Sequence, residues 1–412
     1  MARQPVLLKR IIGLPLITFY GIGTILGAGI YVLVGKVAVA SGAYAPIAFL
    51  VAALVVAFTA LTYAELSSRF PKSAGEAVYV LRAFSWKSLS LLVGFSVVLS
   101  GIVSAAVMAR GFAGYLSLFV SLPDALSILL FVALLASIAA WGVAQSVLLS
   151  AVITLIELAG VVVLLWVTGD EWIPALDNWQ DYVPPFTSEV WLGITLGAFL
   201  AFYAYIGFED MVNMAEEVKD PQRNLPRAIV LSLLVTSILY VLVAWAAVTS
   251  LPLEKLASSR APFSSIVEQN GLFPVWAMTL ISLIAISNGA LVQIIMGARV
   301  LYGLANQGLL PTVFAKLNSR TRTPVIATLL IGVLVLVLAW LFPIETLAKI
   351  TSSILLIVFA LVNLALLVIK QRERNGGKTD LLQPHVRYPV FIPVIGFMLC
   401  LALLFIPLIQ TL

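Results

Sequence analysis

The chain has 412 residues, of which 62% are hydrophobic and only 10% are charged, and its mean hydropathy is +1.10. A water-soluble protein carries about 25% charged residues, and a chain of this length cannot bury so much apolar surface in one soluble core. The composition therefore excludes a soluble protein and predicts that lipid surrounds much of the chain. The formal net charge of +5 does not indicate nucleic-acid binding, because the basic residues lie in short segments between apolar runs.

About eleven segments are long and apolar enough to cross a membrane, since a spanning helix needs roughly 20 mainly apolar residues. Prolines bound several of them, where a helix is expected to start or stop. The predicted fold is an all-α membrane protein, with a single transmembrane domain over residues 1–412. The polar stretch near 68–87 could form a helix at the membrane surface. The predicted segments are 12–35, 43–67, 88–118, 124–142, 146–168, 190–215, 227–250, 272–303, 324–342, 345–369 and 389–411.

Lysine and arginine residues are concentrated in the loops on one side of the predicted helices. The bias predicts that this side, which includes the N-terminus, is cytoplasmic. The loop near 168–189 lies on the opposite side and has five acidic residues and no basic one. An odd number of helices then puts the C-terminus outside. We interpret the N-terminal apolar stretch as a retained first helix, and we expect a multi-pass protein of the plasma membrane.

Two of the predicted helices contain residues that disfavour a continuous helix. The first reads Gly21-Ile-Gly-Thr-Ile-Leu-Gly-Ala-Gly-Ile-Tyr31, and the sixth reads Phe202-Tyr-Ala-Tyr-Ile-Gly-Phe-Glu-Asp210. Glycine costs about 1 kcal/mol per helical position relative to alanine, and acidic residues in the membrane cost a few kcal/mol more. Close helix packing is one explanation for the glycines. Interrupted helices are the other, and they are favoured at 27–29.

The two interruptions fall in the first helix of each half of the chain. This pattern predicts a five-plus-five inverted repeat with discontinuous helices 1 and 6. Repeat one would cover about 12–168, repeat two about 190–369, and an extra helix about 389–411. An interrupted helix exposes N–H groups, which attract a carboxylate, and C=O groups, which attract an ammonium. We therefore expect a zwitterionic amino acid to bind at the breaks.

Four motifs, taken together, resemble those of the amino acid–polyamine–organocation permeases. The likeness covers nearly the whole chain, with the motifs in the expected order. It implies a secondary active transporter that moves amino acids by alternating access. The motifs are Gly27-Ala-Gly-Ile-Tyr31, Thr62-Tyr-Ala-Glu-Leu-Ser-Ser-Arg-Phe-Pro71, Gly207-Phe-Glu-Asp-Met-Val-Asn-Met-Ala-Glu-Glu-Val-Lys-Asp-Pro221 and Leu301-Tyr-Gly-Leu-Ala-Asn-Gln-Gly-Leu-Leu-Pro311.

The resemblance also implies a substrate site built mainly from backbone groups. The substrate carboxylate would meet backbone N–H groups in the first helix, and its amine would meet carbonyls in both helices, next to Gly207 at the second break. An aromatic residue, Tyr203, would close over the substrate, or else serve only in packing. The implied carboxylate residues are Gly27, Ala28 and Gly29, and the implied carbonyls are those of Ile25, Tyr203 and Ile206.

The chain departs from the pattern of these permeases in two places. Such permeases commonly have twelve helices, and here the sequence ends after the eleventh predicted one. Glu157 on the fifth helix stands where some of them have lysine. Desolvation favours the neutral form of a buried carboxyl group, so we hypothesise that Glu157 carries a coupling proton, near Gly23 or Thr24 and near Ser287 or Asn288. A hydrogen-bonded structural glutamate is the alternative.

Other readings stay open at this stage. A carboxylate, carbonyls and Ser287 could instead bind sodium, or the chain could exchange amino acids without an ion. Glu209 is a candidate for gating or proton sensing, or for a helix cap. Glu65 is expected to form an interfacial ion pair near Arg69 and Lys72. A non-transporting amino-acid receptor on the same scaffold is a further possibility.

Metal, cofactor and enzyme chemistry are not indicated. His385 is the one histidine and Cys400 the one cysteine, and they show no metal-ligand or nucleophile–base spacing. A repeated filter sequence or a ring of like charge, typical of channels, is not visible. The residues near the expected site, including Ser104 and Gln293, suggest room for a modest neutral side chain, and the sequence does not choose the amino acid.

Overall fold

The computed structural model describes residues 10–72, 75–141, 147–306, 310–376 and 384–409. Within these ranges the chain is helical and contains no β-strand. The predicted all-α membrane fold is therefore confirmed. The α-helices are α1 (Leu14–Ser41), α2 (Ala45–Arg69), α3 (Gly75–Phe84), α4 (Lys87–Leu116), α5 (Asp124–Trp141), α6 (Val147–Val167), α7 (Trp172–Asp177), α8 (Ser188–Ala204), α9 (Pro221–Ser250), α10 (Leu253–Ser258), α11 (Pro262–Asn270), α12 (Val275–Asn306), α13 (Val325–Leu341), α14 (Ile344–Arg374) and α15 (Phe391–Ile409).

The described residues contain eight stretches that are long and apolar enough to cross a membrane, judged by length and composition. One of them, Gly29–Arg69, joins the second part of α1 to α2 across a short 3₁₀ turn at Gly42–Tyr44. Three shorter apolar helices accompany them: the first part of α1, α13 and α15. Each predicted apolar segment overlaps one or two of these stretches, and the number of spans stays a prediction.

The long helices expose large apolar side chains along their outer faces. Leu54, Leu134, Trp166 and Val333 are examples, and each is more than half exposed. In water such a surface would carry a penalty of about 25 cal/mol per Å² of apolar area. Hydrocarbon chains remove that penalty, and helices satisfy their own backbone hydrogen bonds in lipid. The outer surface is therefore one that a bilayer covers.

Helices of the first half pack against helices of the second half. The interrupted helix α1 packs along α8 and α9, α2 packs along α9, and α4 packs along α12. The fourth and ninth predicted segments, α5 and α13, are also in contact. Because α1, α4, α8 and α12 converge, the two breaks lie at the centre of the bundle.

The ends of the two interrupted helices are joined by backbone hydrogen bonds. The amides of Ile11 and Ile12 donate to the Glu217 carbonyl at 3.0 and 3.1 Å, and the Lys219 amide donates to the Ile12 carbonyl at 2.8 Å. Ile12 and Val218 form an isolated parallel bridge. These hydrogen bonds therefore hold the chain before α1 against the chain after the second break.

A buried ion network joins α2 to α14 and to the chain before α15. Glu65 accepts hydrogen bonds from Arg69 at 2.6 Å and from Lys370 at 2.7 Å, and the Tyr388 amide donates to it at 2.9 Å. Arg69 also pairs with Glu373. The predicted ion pair of Glu65 with Arg69 is confirmed. The second cation beside Glu65 is Lys370 on α14, where the sequence suggested Lys72, and the ion pair is buried. Local sequence could not indicate either difference.

Candidate functional site

The first break lies at Gly27, where α1 leaves helical geometry with φ 11° and ψ −144°. A Cβ atom added at Gly27 would meet nothing within 4 Å. The backbone at this position is therefore open to a ligand. The predicted interruption of the first helix is present at the predicted glycine.

The second break begins where α8 ends at Ala204, and the chain continues through turns to a 3₁₀ helix at Glu209–Met214. Gly207 within the break has φ 129°, a conformation that side chains with a Cβ rarely adopt. A Cβ here would also lie 2.4 Å from the Thr24 carbonyl oxygen. The residue must be glycine both for its backbone angle and for its contact with α1.

The two breaks are in direct contact. The Thr24 hydroxyl donates to the Gly207 carbonyl at 3.0 Å. A Cβ added at Gly29 would lie 2.6 Å from the Cα atom of Ala204, so α1 and α8 approach at backbone distance. Small residues on both helices permit this approach. The structure therefore brings the predicted residues of 25–29 and 203–207 together.

Tyr240 on α9 bridges the two breaks and was not found from the sequence. Its hydroxyl lies 2.6 Å from the Ile25 carbonyl oxygen and 2.9 Å from the Ala204 carbonyl oxygen. The residue is fully buried, and a buried tyrosine hydroxyl needs a polar partner. A carbonyl has two lone pairs, so the Ile25 oxygen keeps one for a further donor.

A narrow cavity of about 10 Å³ lies between the breaks, α4 and α12. This is room for about one water molecule. The Tyr203 hydroxyl lies 2.8 Å from the Ser104 hydroxyl and closes one side. Four of the predicted substrate-binding residues line this cavity: Ile25, Gly29, Tyr203 and Ile206. Gly27 and Gly207 lie at the adjacent breaks. The side chain of Ala28 lies outside the described residues. The lining residues are Thr24, Ile25, Gly29, Ser104, Met108, Tyr203, Ala204, Ile206 and Gln293.

Glu157 on α6 is fully buried beside the second part of α1. Its Oε1 atom accepts a hydrogen bond from the Asn288 side chain at 3.3 Å, as predicted. Its Oε2 atom has no hydrogen-bond partner in the described part of the chain. The Tyr31 hydroxyl donates to the Glu157 backbone carbonyl at 2.7 Å. The Ser287 hydroxyl donates to the Leu283 carbonyl of its own helix, and it forms no hydrogen bond to the Glu157 carboxyl group within the described residues.

The carboxyl groups after the second break have separate partners. Glu209 accepts a hydrogen bond from the Gly207 amide at 2.8 Å, so its side chain satisfies a backbone donor within the break. Asp210 accepts one from the Gln293 side chain at 3.3 Å. Asp210 is therefore linked to α12, which also lines the cavity.

Together these features define a class of protein: a multi-span α-helical membrane transporter with two interrupted helices in contact around a small cavity. The comparisons with known proteins agree with this class. The chain belongs to a family described as "Amino acid permease", whose model matches residues 12–411. It is a family of transporters and not of enzymes. The resemblance drawn from the four sequence motifs is confirmed.

Three relatives illustrate the range within this similarity. The chain is 32% identical over 391 residues to "Cationic amino acid transporter 3, mitochondrial" of Arabidopsis thaliana, covering 88% of this chain and 63% of that protein. It is 29% identical to "Branched-chain amino acid permease BcaP" of Bacillus subtilis, covering 89% and 82%. It is 28% identical to "Methylthioribose transporter" of the same bacterium, covering 93% and 86%. The chain thus spans less than two thirds of the plant relative's length.

Proposed function

We propose that this chain is a secondary active transporter that moves amino acids across the membrane by alternating access. The observation that carries the proposal is the contact between two interrupted helices at Gly27 and Gly207. The backbone there offers N–H groups to a carboxylate and carbonyls to an ammonium, and these are the two charges of every free amino acid. Family membership supports the same substrate class.

Two glycine variants test the binding role of the first break. Gly27→Ala adds a methyl group with nothing within 4 Å, next to the backbone that we propose receives the substrate carboxylate. We expect a loss of about tenfold or more in affinity, because a hydrogen bond to a charged group contributes about 1.5–3 kcal/mol. Gly303→Ala on α12, which also meets nothing within 4 Å, is the matched control.

The assay is uptake of labelled amino acids into proteoliposomes, with binding measured in detergent. Equal affinity of Gly27→Ala and the wild type for every amino acid would remove the break from the binding site. Binding without uptake in the wild type would favour an amino-acid receptor on the same scaffold. Uptake of no amino acid, together with no binding, would contradict the proposed function itself.

Proton coupling through Glu157 is the second part of the proposal. An ionised carboxylate in this position would have one amide partner, Asn288, and an unpaired oxygen in an apolar interior, which is costly. The neutral form is therefore favoured at rest, and the proton can leave when the site hydrates. Tyr31 connects this helix to the second part of α1, since its hydroxyl donates to the Glu157 carbonyl.

The test of coupling is uptake driven by a pH gradient in Glu157→Gln. We expect the variant to lose stimulation by the gradient and to retain exchange, with the exposed Glu189→Gln as the control. Unchanged stimulation would refute the role of Glu157. Uptake that depends on sodium in the wild type would support sodium coupling instead. Exchange with no ion gradient at all would support an exchanger.

Two further observations support the inverted repeat. The pairings of α6 with α1, α12 and α9 are matched by pairings of α14 with α8, α4 and α2. If each of the first five predicted spans is exchanged with the span five positions later in the chain, the first set of pairings becomes the second set. The two breaks also fall in the first span of each set. Alternating access would then arise from movement of one set of helices against the other.

The proposed location is the plasma membrane, with the N-terminus cytoplasmic and the C-terminus outside. Ser88 and Ser258 are exposed at opposite ends of the bundle and can each be replaced by cysteine. Cys400 is buried, so it contributes little background labelling. An impermeant maleimide should label Ser258→Cys in intact cells and Ser88→Cys only after permeabilisation. The reverse pattern would invert the topology.

A further inference from the structure

A second cavity, larger than the first, lies between α3, α4, α12 and the chain after the second break. Its volume is about 60 Å³, against about 10 Å³ for the cavity at the breaks. A cavity that holds one water molecule has a volume of about 10–15 Å³, so the second cavity has room for a side-chain group. Its polar lining consists of Glu76, Asp210, Asn213 and Gln293. We call it the inner cavity.

Gln293 separates the two cavities, because this one side chain lines both. On α4, Ser104 lines the first cavity and Gly101 lines the inner one. On α12, the inner cavity continues from Gln293 to Val300. Both helices thus lead from the breaks toward the ends predicted to be cytoplasmic. A group that leaves the breaks in this direction has to pass Gln293.

Three carboxyl groups lie at or beside the inner cavity, and none forms an ion pair within the described residues. Glu76 is 3% exposed, and its Oε1 atom is buried and has no hydrogen-bond partner among the residues that the structure describes. Asp210 is 6% exposed and holds the Gln293 amide at 3.3 Å. Glu209, beside it, holds the Gly207 amide. The described lining of the cavity is thus rich in acceptors and includes no basic residue.

Buried carboxylates without a counter-ion are costly. Burial raises the pKa of Glu76 to about 7, and the charge of Asp210 adds to the rise. A ligand that brings a positive charge and several N–H donors would satisfy the unpaired Oε1 atom and both carboxylates at once. An apolar or anionic group would satisfy none of them. The chemistry of the cavity therefore favours a cationic group.

We propose that the inner cavity is a subsite for the cationic side chain of a basic amino acid, with Glu76 and Asp210 as the residues that receive its guanidinium or ammonium group. The inference rests on the proposed function, because the α-amino and α-carboxylate groups are held at the breaks while the side chain passes Gln293. It differs from the neutral side chain that the sequence suggested. Family membership does not decide the matter, since relatives include both cationic and branched-chain transporters by name.

Arginine and citrulline provide the test, because they have nearly the same shape and differ in charge. The readout is the ratio of their affinities, measured by binding to the purified full chain and by competition for uptake in proteoliposomes. We expect the wild type to prefer arginine by about tenfold or more, because charge-assisted hydrogen bonds are about twice as strong as neutral ones. Glu76→Gln and Asp210→Asn should each bring the ratio toward one. General losses of activity cancel from the ratio.

Two further variants make the result interpretable. Gln293→Lys places a positive charge beside Asp210 and should abolish the preference for arginine even if an aspartate variant fails to fold. Glu189→Gln removes an exposed carboxylate on the other side of the molecule and should leave the ratio as in the wild type. Lysine and norleucine form a second pair that should behave in the same way.

The outcomes separate the two levels of the proposal. A wild type that binds citrulline as tightly as arginine, or variants that keep the wild-type ratio, would overturn the cation subsite. Uptake of neutral amino acids in that case would leave amino-acid transport intact. A sodium requirement that Glu76→Gln removes, with no change in the arginine-to-citrulline ratio, would assign the cavity to an inorganic cation instead. If no amino acid is bound or transported, both proposals fail.

Discussion

Replacing Glu76 by glutamine keeps the shape of the side chain and removes its capacity to ionise. In the folded protein burial raises the pKa of this carboxyl group to about 7, from a usual value of 4.5. Below pH 4.5 the group is protonated in both the folded and the unfolded chain. As the pH rises from 4.5 to 7, the unfolded chain releases its proton more readily than the folded one, so the folded state loses stability. Above pH 7 the loss is complete.

The size of the effect follows from the difference between the two pKa values. It corresponds to about 3 kcal/mol, since each pKa unit is about 1.4 kcal/mol. Glutamine carries none of this penalty and can donate its amide to the neighbouring acceptors. Glu76→Gln should therefore be more stable than the wild type by up to about 3 kcal/mol at pH 8. At pH 4.5 the two proteins should differ little.

The assay is thermal unfolding of the detergent-solubilised chain at several pH values between 4.5 and 8. For a protein of this length, about 3 kcal/mol corresponds to a rise of a few degrees in Tm. Because all other titrating groups are common to both proteins, the difference in Tm isolates Glu76. A difference that does not change with pH, or a variant less stable at pH 8, would refute the assignment of a buried, unpaired carboxyl group. Glu189→Gln, at an exposed position, is the control.

Three other substitutions test the packing around the site. Gly207→Ala should abolish folded, monodisperse protein in size-exclusion chromatography, because φ is 129° and the added Cβ would lie 2.4 Å from the Thr24 carbonyl oxygen; normal elution would contradict the contact. Tyr240→Phe should lower stability by about 1–3 kcal/mol through the loss of buried hydrogen bonds, and an unchanged Tm would exclude the bridge. Arg69→Ala should lower stability by up to about 3–5 kcal/mol, because it removes the buried cation that Glu65 and Glu373 share and leaves Lys370 as the remaining cation at Glu65, and Glu65→Gln in the same chain should recover part of the lost Tm.

The broad fold and the breaks could be predicted because they depend on local sequence. A run of about 20 apolar residues specifies a membrane helix without reference to its neighbours. Glycines at 27 and 207 mark positions where the backbone leaves helical geometry, and the structure interrupts the helices there. The contact of Glu157 with Asn288 could also be anticipated, since a buried carboxyl group requires a polar neighbour.

Most contacts between distant helices, unlike that of Glu157 with Asn288, could not be predicted from local sequence. Tyr240 reaches the breaks from α9, and its role depends on how α9 packs against α1. The stretch containing Glu76 was interpreted as a surface helix because it mixes polar and apolar residues. In the structure α3 packs against α4 and α14 and buries Glu76 and Tyr79. The acidic inner cavity arises only when α3 and the chain after α8 meet.

The inner cavity also links cation binding to proton release. A guanidinium group beside Glu76 favours the ionised carboxylate, so arginine binding should lower the pKa of this group from its value of about 7. At pH 6.5, below this pKa, the protonated form of Glu76 predominates before binding. Arginine should then release a substantial fraction of one proton per molecule bound, whereas citrulline should release almost none.

Calorimetry in buffers with different ionisation enthalpies measures this proton release directly. Asp210 and Glu209 lie close to Glu76 and can contribute protons of their own, so the wild type alone does not identify the donor. The comparison with Glu76→Gln does, because the part of the release that the variant loses belongs to Glu76. Equal proton release with arginine and citrulline would show that the charge of the substrate does not enter the inner cavity. If arginine causes a release that Glu76→Gln reduces, the buried carboxyl group of Glu76 responds to the charge of the ligand that it receives.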